Sequence, residues 1–389
     1  MISSYIPARP EVRKAWKSPV RVRPRDAVVV ILLVLASVAA LTWAWPVLFA
    51  HAANVDVARS VAISLIPLAF TLVFVWVIDS WEPEPGALYF VALTWGGGAA
   101  VFGALFLNAW SKGIAPLFLP QGAGEFEVTA WVASYGAPLS EELIKGLGVM
   151  IIFVAFSRAF NGPADGIVYG ALIGAGFAFT ENVLYFTEYA ATLSNTFQVR
   201  FLDSPLSHDA YTAFFGFFLG FAEYSRRRIM MGVWAIPGLV GAWVFHFLNN
   251  NALGWHGMTY GMYKLLNTVP IALIAVVMVL YAHREEKESV RSGLAPFVES
   301  GQIAATELAF TMTLAERRRS KEWAAKRAQA KGYSADSGAA AMRQMHRELL
   351  KLGHLRARAI RRGTESRRSV QLAQAEHLAH IQKLREVFI

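Results

Sequence analysis

Apolar runs of about 18 residues or more recur through the first 282 positions, and a helix needs about that many to cross the hydrocarbon core of a bilayer. With 55% hydrophobic residues and a mean hydropathy of +0.38, the chain is too apolar for an ordinary soluble globule. It reads as an all-α polytopic membrane protein. Eight spans are expected, at about 27–50, 58–79, 86–110, 130–156, 164–189, 207–224, 233–254 and 261–282. The first is read as a true span, because it is long and no small-residue cleavage site follows it.

Charge sets the orientation. Residues 283–389 hold 21 Lys/Arg against 12 Asp/Glu, and the other 282 residues hold 16 of each, so the formal excess of +9 lies in the C-terminal segment. Arg9, Arg13, Lys14, Lys17, Arg21, Arg23 and Arg25 precede the first span, Arg158 follows the fourth and Arg226, Arg227 and Arg228 follow the sixth. The other side has only Arg59, Lys112, Arg200 and Lys264. Positive charge favours the cytoplasmic side, so both termini are expected there. Trp43, Trp45, Trp81, Trp131, Trp234 and Trp255 lie near span ends, where interfacial tryptophans anchor. Three parts follow: a basic N-terminal segment (1–26), an eight-span core (27–282) and a basic helical tail (283–389). In the tail, "KGYSADSG" breaks a helix-forming run. Two further helices are expected at about 339–362 and 366–387, with Leu349, Leu352, Leu355 and Ile360, then Leu378, Ile381, Leu384 and Val387, at near-helical spacing. There is no cysteine, so neither a disulfide nor a thiolate site is available.

Ionisable groups inside spans are costly and mark function by default. "APLSEELIKGLGV" puts Glu141, Glu142 and Lys145 in the fourth span; "GFAFTENVLYF" puts Glu181 in the fifth; "PLSHDAYTAFFG" opens the sixth with His208; "VFHFLNN" puts His246 in the seventh. At about 1.5 Å per residue, these groups reach the middle or outer half of one bilayer, with Asn182, Asn249 and Asn250 at similar depth. Glu141 and Lys145 are at i, i+4 and Glu142 and Lys145 at i, i+3, so both pairs can meet on one helix face. A Glu–Lys pair in a span is about as often a plain internal ion pair, and a lone span histidine is more often an interhelical hydrogen-bond partner. The convergence of six such groups at one depth weighs against that reading. Gly166, Gly170 and Gly174, at four-residue spacing, allow helices to approach closely.

"EELIK" resembles the EExxK motif of the PrsW-type intramembrane proteases, and "FAFTEN", with Phe177 and Glu181, is similar to their FxxxE motif. "SHDAYTAFFGFFLG" resembles their next, histidine-bearing helix. His246-x-x-x-Asn250 resembles the last motif of the superfamily shared with CAAX prenyl endopeptidases, and "DSWEPEPG" the turn before the third span. The resemblance covers about residues 60–282. It implies hydrolysis of a peptide bond in a membrane-anchored substrate, such as a single-span anti-sigma factor, in a bacterial cell membrane. On that basis Glu141 is expected to activate a water and Glu142 to pair with Lys145 or share the proton. His246 and Asn250 are expected to donate to the oxyanion, His208 to guide the water or protonate the leaving amine, and Glu181 to orient a histidine.

The usual zincin signature H-E-x-x-H is absent, so a glutamate-dependent reaction without a cofactor is expected. The metal-dependent alternative would use Glu141, Glu181, His208 and His246 to hold a divalent ion such as zinc. Two other classes use the same residues differently. A proton- or ion-coupled transporter would relay charge through them, and a scaffold would work through its tail. The tail's arginines suit anionic lipid or an acidic protein; nucleic acid is not expected, for want of a stacking-aromatic pattern.

Overall fold

The structure is a computed structural model of the 389-residue chain and describes residues 24–49, 54–81, 83–157, 159–225, 227, 229–251, 254 and 257–389. The basic segment as far as residue 23, and Arg158, Arg226, Arg228 and Trp255, lie outside the described residues. Every regular element among the described residues is a helix. The chain divides into two compact units, Arg23–Ala282 and one that includes His283–Ile389.

In the first unit, α1 is Pro24–Phe49, α2 Asn54–Ile78 and α3 Gly86–Leu117, the last with a π-helical turn at Trp95–Ala100. A short α4, Glu125–Trp131, runs through a second π-turn, Val132–Gly136, into α5, Ala137–Ala155. Then come α6, Pro163–Glu188, α7, Ser207–Gly220, α8, Ile229–Asn251, and the long α9, Tyr260–Glu299, of which the part up to Ala282 belongs to this unit.

Six of these helices, α1, α2, α3, α6, α8 and α9, are long and apolar enough to cross a membrane. The other two expected spans correspond to α5 and α7. The apolar run of α5 is interrupted by Glu141, Glu142 and Lys145 within its 19 residues, though the helix is continuous. Helix α7 has 14 residues, about 21 Å of rise against a hydrocarbon core of about 30 Å.

Helix α6 is the centre of this unit. Of its most apolar window 78% is buried, against 11–39% for the other five candidate spans. It packs on α2, α3, α5 and α7, with Tyr169, Leu172 and Ile173 among its fully buried side chains. The glycine stripe explains how α7 comes so near. A Cβ on Gly166, Gly170 or Gly174 would stand 2.0–2.4 Å from the carbonyl oxygens of Gly216, Thr212 and His208 respectively. No side chain fits there, so the two backbones touch. The same stripe fixes where His208 lies along α6.

The second unit holds α10, Ala305–Met312, α11, Leu314–Ala330, α12, Ala335–Arg362, and α13, Arg368–Arg385. The helix-forming run after residue 306 is split at Thr313. Its backbone is extended and its hydroxyl accepts from Glu316 N, so it caps α11. Such a cap competes well with continued helix. Helix α12 buries Met342, Met345, Leu349 and Leu352 against α11 and α13. Ile360, expected on that stripe, is exposed. The buried face takes polar groups instead: Glu348 accepts from His377 Nδ1 at 2.6 Å, and His346 Nε2 lies 3.0 Å from Ser320 Oγ.

Candidate active site

Helix α5 begins with Pro138 in its first turn, where the missing amide proton costs nothing. One turn on, Glu141, Glu142 and Lys145 are all buried. The i, i+3 pair is the tight one: Lys145 Nζ donates to Glu142 Oε1 at 2.5 Å, whereas Glu141 Oε2 is 3.9 Å away. Phe177 of α6 presents its ring to the same ammonium, 4.3 Å from the centroid. A fully buried ammonium has to be paired in this way, because an isolated charge there would be prohibitively costly.

Helix α7, seated on the glycines, brings His208. Its Nδ1 lies 3.1 Å from Lys145 Nζ and its Nε2 lies 2.8 Å from Glu181 Oε2. An ammonium has donors only, so Nδ1 accepts and Nε2–H donates to Glu181. Helix α8 brings His246, whose Nδ1 is 3.0 Å from Glu142 Oε1 and whose Nε2 is 3.8 Å from Glu141 Oε2. Glu142 accepts from Nδ1–H, which leaves the lone pair on Nε2 turned to Glu141. The Tyr211 ring stacks on His246 with centroids 5.2 Å apart. Thr212 Oγ1 donates to the second oxygen of Glu142 at 3.1 Å.

Both oxygens of Glu142 are therefore occupied. Glu181 is clasped by His208 and by Arg200, whose Nη2 donates to it at 2.5 Å. Glu141 is different: its Oε2 is buried and has no hydrogen-bond partner in the protein. A buried carboxylate oxygen without a donor is rare in folded proteins. It marks a place in the cluster still able to take up a group.

Single ligand atoms of Glu141, His208 and His246 lie within 4.8 Å of one another. Two histidines and a carboxylate are a known catalytic zinc set. Each ring is also backed by a second carboxylate, Glu142 or Glu181, as metal-binding imidazoles usually are. These residue types suit a divalent ion, although here both nitrogens of His208 are engaged by Lys145 and Glu181. Glu181, expected as a fourth ligand, instead stands behind His208.

Six of the seven expected residues thus form one connected cluster. Asn250 does not join it. It is exposed and donates to the Ala133 carbonyl at 3.3 Å. Four residues advance a helix by about 400° and 6 Å, which carries Asn250 roughly 40° round and a full turn beyond His246. Asn249 bonds to Ser204 and Tyr263, and Asn182 accepts from Arg200 Nε at 2.7 Å. Sequence reasoning missed Arg200, Thr212 and Tyr211. Two signals were present: Arg200 is one of four basic residues on a side otherwise free of them, and Thr212 is one helical turn from His208.

A family model described as "PrsW family intramembrane metalloprotease" matches residues 84–283. The Protease PrsW of Geobacillus kaustophilus (strain HTA426) is 35% identical over 103 residues, 26% of this chain. The match spans 44% of that relative's length. No solved structure matches the chain.

Proposed function

The chain belongs to the PrsW family of intramembrane proteases, and on that premise we propose that it hydrolyses a peptide bond of a membrane-anchored protein, with Glu141 as the base. The observation that carries this reading is the unpartnered Oε2 of Glu141, buried beside the free Nε2 of His246. A water donating to both would be held and polarised there. Glu141 takes its proton as the oxygen attacks the carbonyl carbon, and the proton passes to the leaving amine. Lys145 lies 3.9 Å from Glu141 and supplies fixed positive charge where the oxyanion develops. That part was expected of His246 and Asn250; Asn250 is turned away, and the Nδ1 of His246 is engaged by Glu142. Glu142 and Glu181 hold the two imidazoles, and Arg200 holds Glu181.

A second reading has its own observation, the mutual closeness of Glu141, His208 and His246. These three would hold a divalent ion such as zinc, which when bound lowers the pKa of its water and polarises the carbonyl. Against it, the Lys145 ammonium already stands 3.1 Å from His208 Nδ1, so that lone pair is taken. The metal-free reading is the one proposed.

The substrates proposed are single-span membrane proteins, an anti-sigma factor being one candidate. The chain is placed in a bacterial cell membrane with cytoplasmic termini and a water supply from the outer half of the bilayer. The tail, with its excess of arginine, is assigned to anionic lipid or an acidic protein. Purified chain incubated with a panel of single-span proteins should cut at least one, and the Glu141→Gln chain should cut none. Equal cleavage by both removes the base assignment; no cleavage by either removes the peptidase.

A further inference from the structure

The cluster is almost closed to solvent: Lys145, Glu142 and His246 are each 3% exposed or less. Each peptide bond hydrolysed nevertheless consumes one water, its hydroxyl going to the acyl carbon and its proton to the amine. Something must store that water in an apolar bundle and hand it in.

A cavity of about 30 Å³ lies against His208. A water needs roughly 10–15 Å³ of such space, so there is room for one or two. The polar wall is made by Thr71, Asn182, Arg200, Ser207, His208 and Asp209, and Leu68, Ala178 and Phe179 close the apolar side. A buried water needs two to four polar partners, and this wall supplies them.

Asp209 gives the cavity its chemistry. The residue is 7% exposed; Thr71 Oγ1 donates to its Oδ2 at 2.9 Å, and its Oδ1 is buried with no hydrogen-bond partner in the protein. A carboxylate oxygen in that position calls for a donor. Water is the donor that fits. The cavity is also one imidazole away from the base, since His208 lines it and lies within 4.8 Å of Glu141 by ligand atoms.

We propose that this cavity is the hydration site of the active centre, where Asp209 holds the water that passes around the His208 ring to Glu141. Its use in turnover rests on the hydrolytic reading above; its occupancy by water does not.

Radiolytic hydroxyl-radical labelling of the full chain in lipid nanodiscs, read by mass spectrometry at Phe179, tests the occupancy. Labelling should be strong in the native chain and in Asp209→Asn, which keeps an acceptor. It should be weak in Asp209→Leu and in Ala178→Leu, which fills the space. The filled variant should also lose about tenfold in kcat with KM unchanged, one hydrogen bond's worth in the barrier. Equal labelling of native and filled chains overturns the proposal, as does an emptied cavity with unchanged kcat. A labelled cavity in a chain that cuts nothing leaves the hydration site standing and fells the peptidase reading instead.

Discussion

His246 offers Nδ1 to Glu142 Oε1 at 3.0 Å and turns its other nitrogen, Nε2, toward Glu141 Oε2 at 3.8 Å. One ring thus separates the work of two adjacent carboxylates. Glu142 fixes the tautomer and neutralises Lys145, so it is spent on structure. Glu141 keeps an oxygen without a hydrogen-bond partner in the protein.

Glu142→Ala should therefore act mainly on stability and Glu141→Gln on turnover. Removing Glu142 strips Lys145 of its 2.5 Å partner, and breaking a buried pair costs roughly 3–5 kcal/mol. Thermal unfolding in detergent should show that drop for Glu142→Ala and a near-native midpoint for Glu141→Gln. Identical melting of the two variants would contradict the division of labour.

Arg200→Met should lower turnover without unfolding the bundle. Arg200 binds both Glu181 and Asn182 and reaches the cluster through Glu181. Loss of the outer partner of a metal-binding imidazole costs about 10–100-fold in activity, and a loss of that order is expected here. Since Arg200→Lys keeps charge but not the two-pronged geometry, it should rescue only in part. Full activity in the Met variant would show that Glu181 needs no clamp.

Asn250→Ala should be nearly silent. Its side chain is exposed and holds only the Ala133 carbonyl, so the change should stay within about 0.5 kcal/mol and leave kcat close to native. A loss of about a hundredfold, the cost of deleting an oxyanion donor, would restore it to the site.

Chelation should leave cleavage largely intact under the metal-free reading. Elemental analysis provides an independent readout: one zinc per native chain, absent from His246→Ala, with activity lost on stripping and regained on addition, would hand the site to the second reading.

Lowering pH should loosen the C-terminal unit through His346. Burial, with Arg317 and Lys321 nearby, pushes that imidazole down to about 3. The unfolded chain takes up this proton below about 6.5. Between those values the unfolded state binds more protons, so stability falls as pH falls, by up to about 1.4 kcal/mol per pH unit. Glu348 adds to this at lower pH. Burial alone would raise its carboxyl, but the His377 hydrogen bond and nearby positive charge hold it below the ordinary range. Amide-exchange protection of α11 and α12 in the intact protein, compared with His346→Gln, should show a flatter pH profile for the variant. Parallel profiles would rule His346 out.

Much of this was legible in the sequence, because a bilayer makes local pattern decisive. Apolar length announced the helices, and the expense of charge in hydrocarbon singled out Glu141, Glu142, Lys145, Glu181, His208 and His246 before any contact was known. The glycine stripe at 166, 170 and 174 announced a close helix neighbour, though not that it would be α7. What local pattern could not give was rotation. Asn250 shares a periodicity with His246, and only the seating of α8 on α5 shows that one faces the cluster and the other the Ala133 carbonyl. Arg200 lies between α6 and α7, where no repeat constrains it, and it meets Glu181 only because the chain folds back.

The sequence by itself determined that the chain is helical, that it is built for a membrane, and which six ionisable groups had to be accounted for. The tertiary structure decided which carboxylate is satisfied and which is left open. That difference cannot be read from two adjacent glutamates, since it depends on donors delivered by Lys145, His246 and Thr212 from three helices. Hydrogen-bond satisfaction is a property of the packed site, and it is what sets Glu141 apart from Glu142.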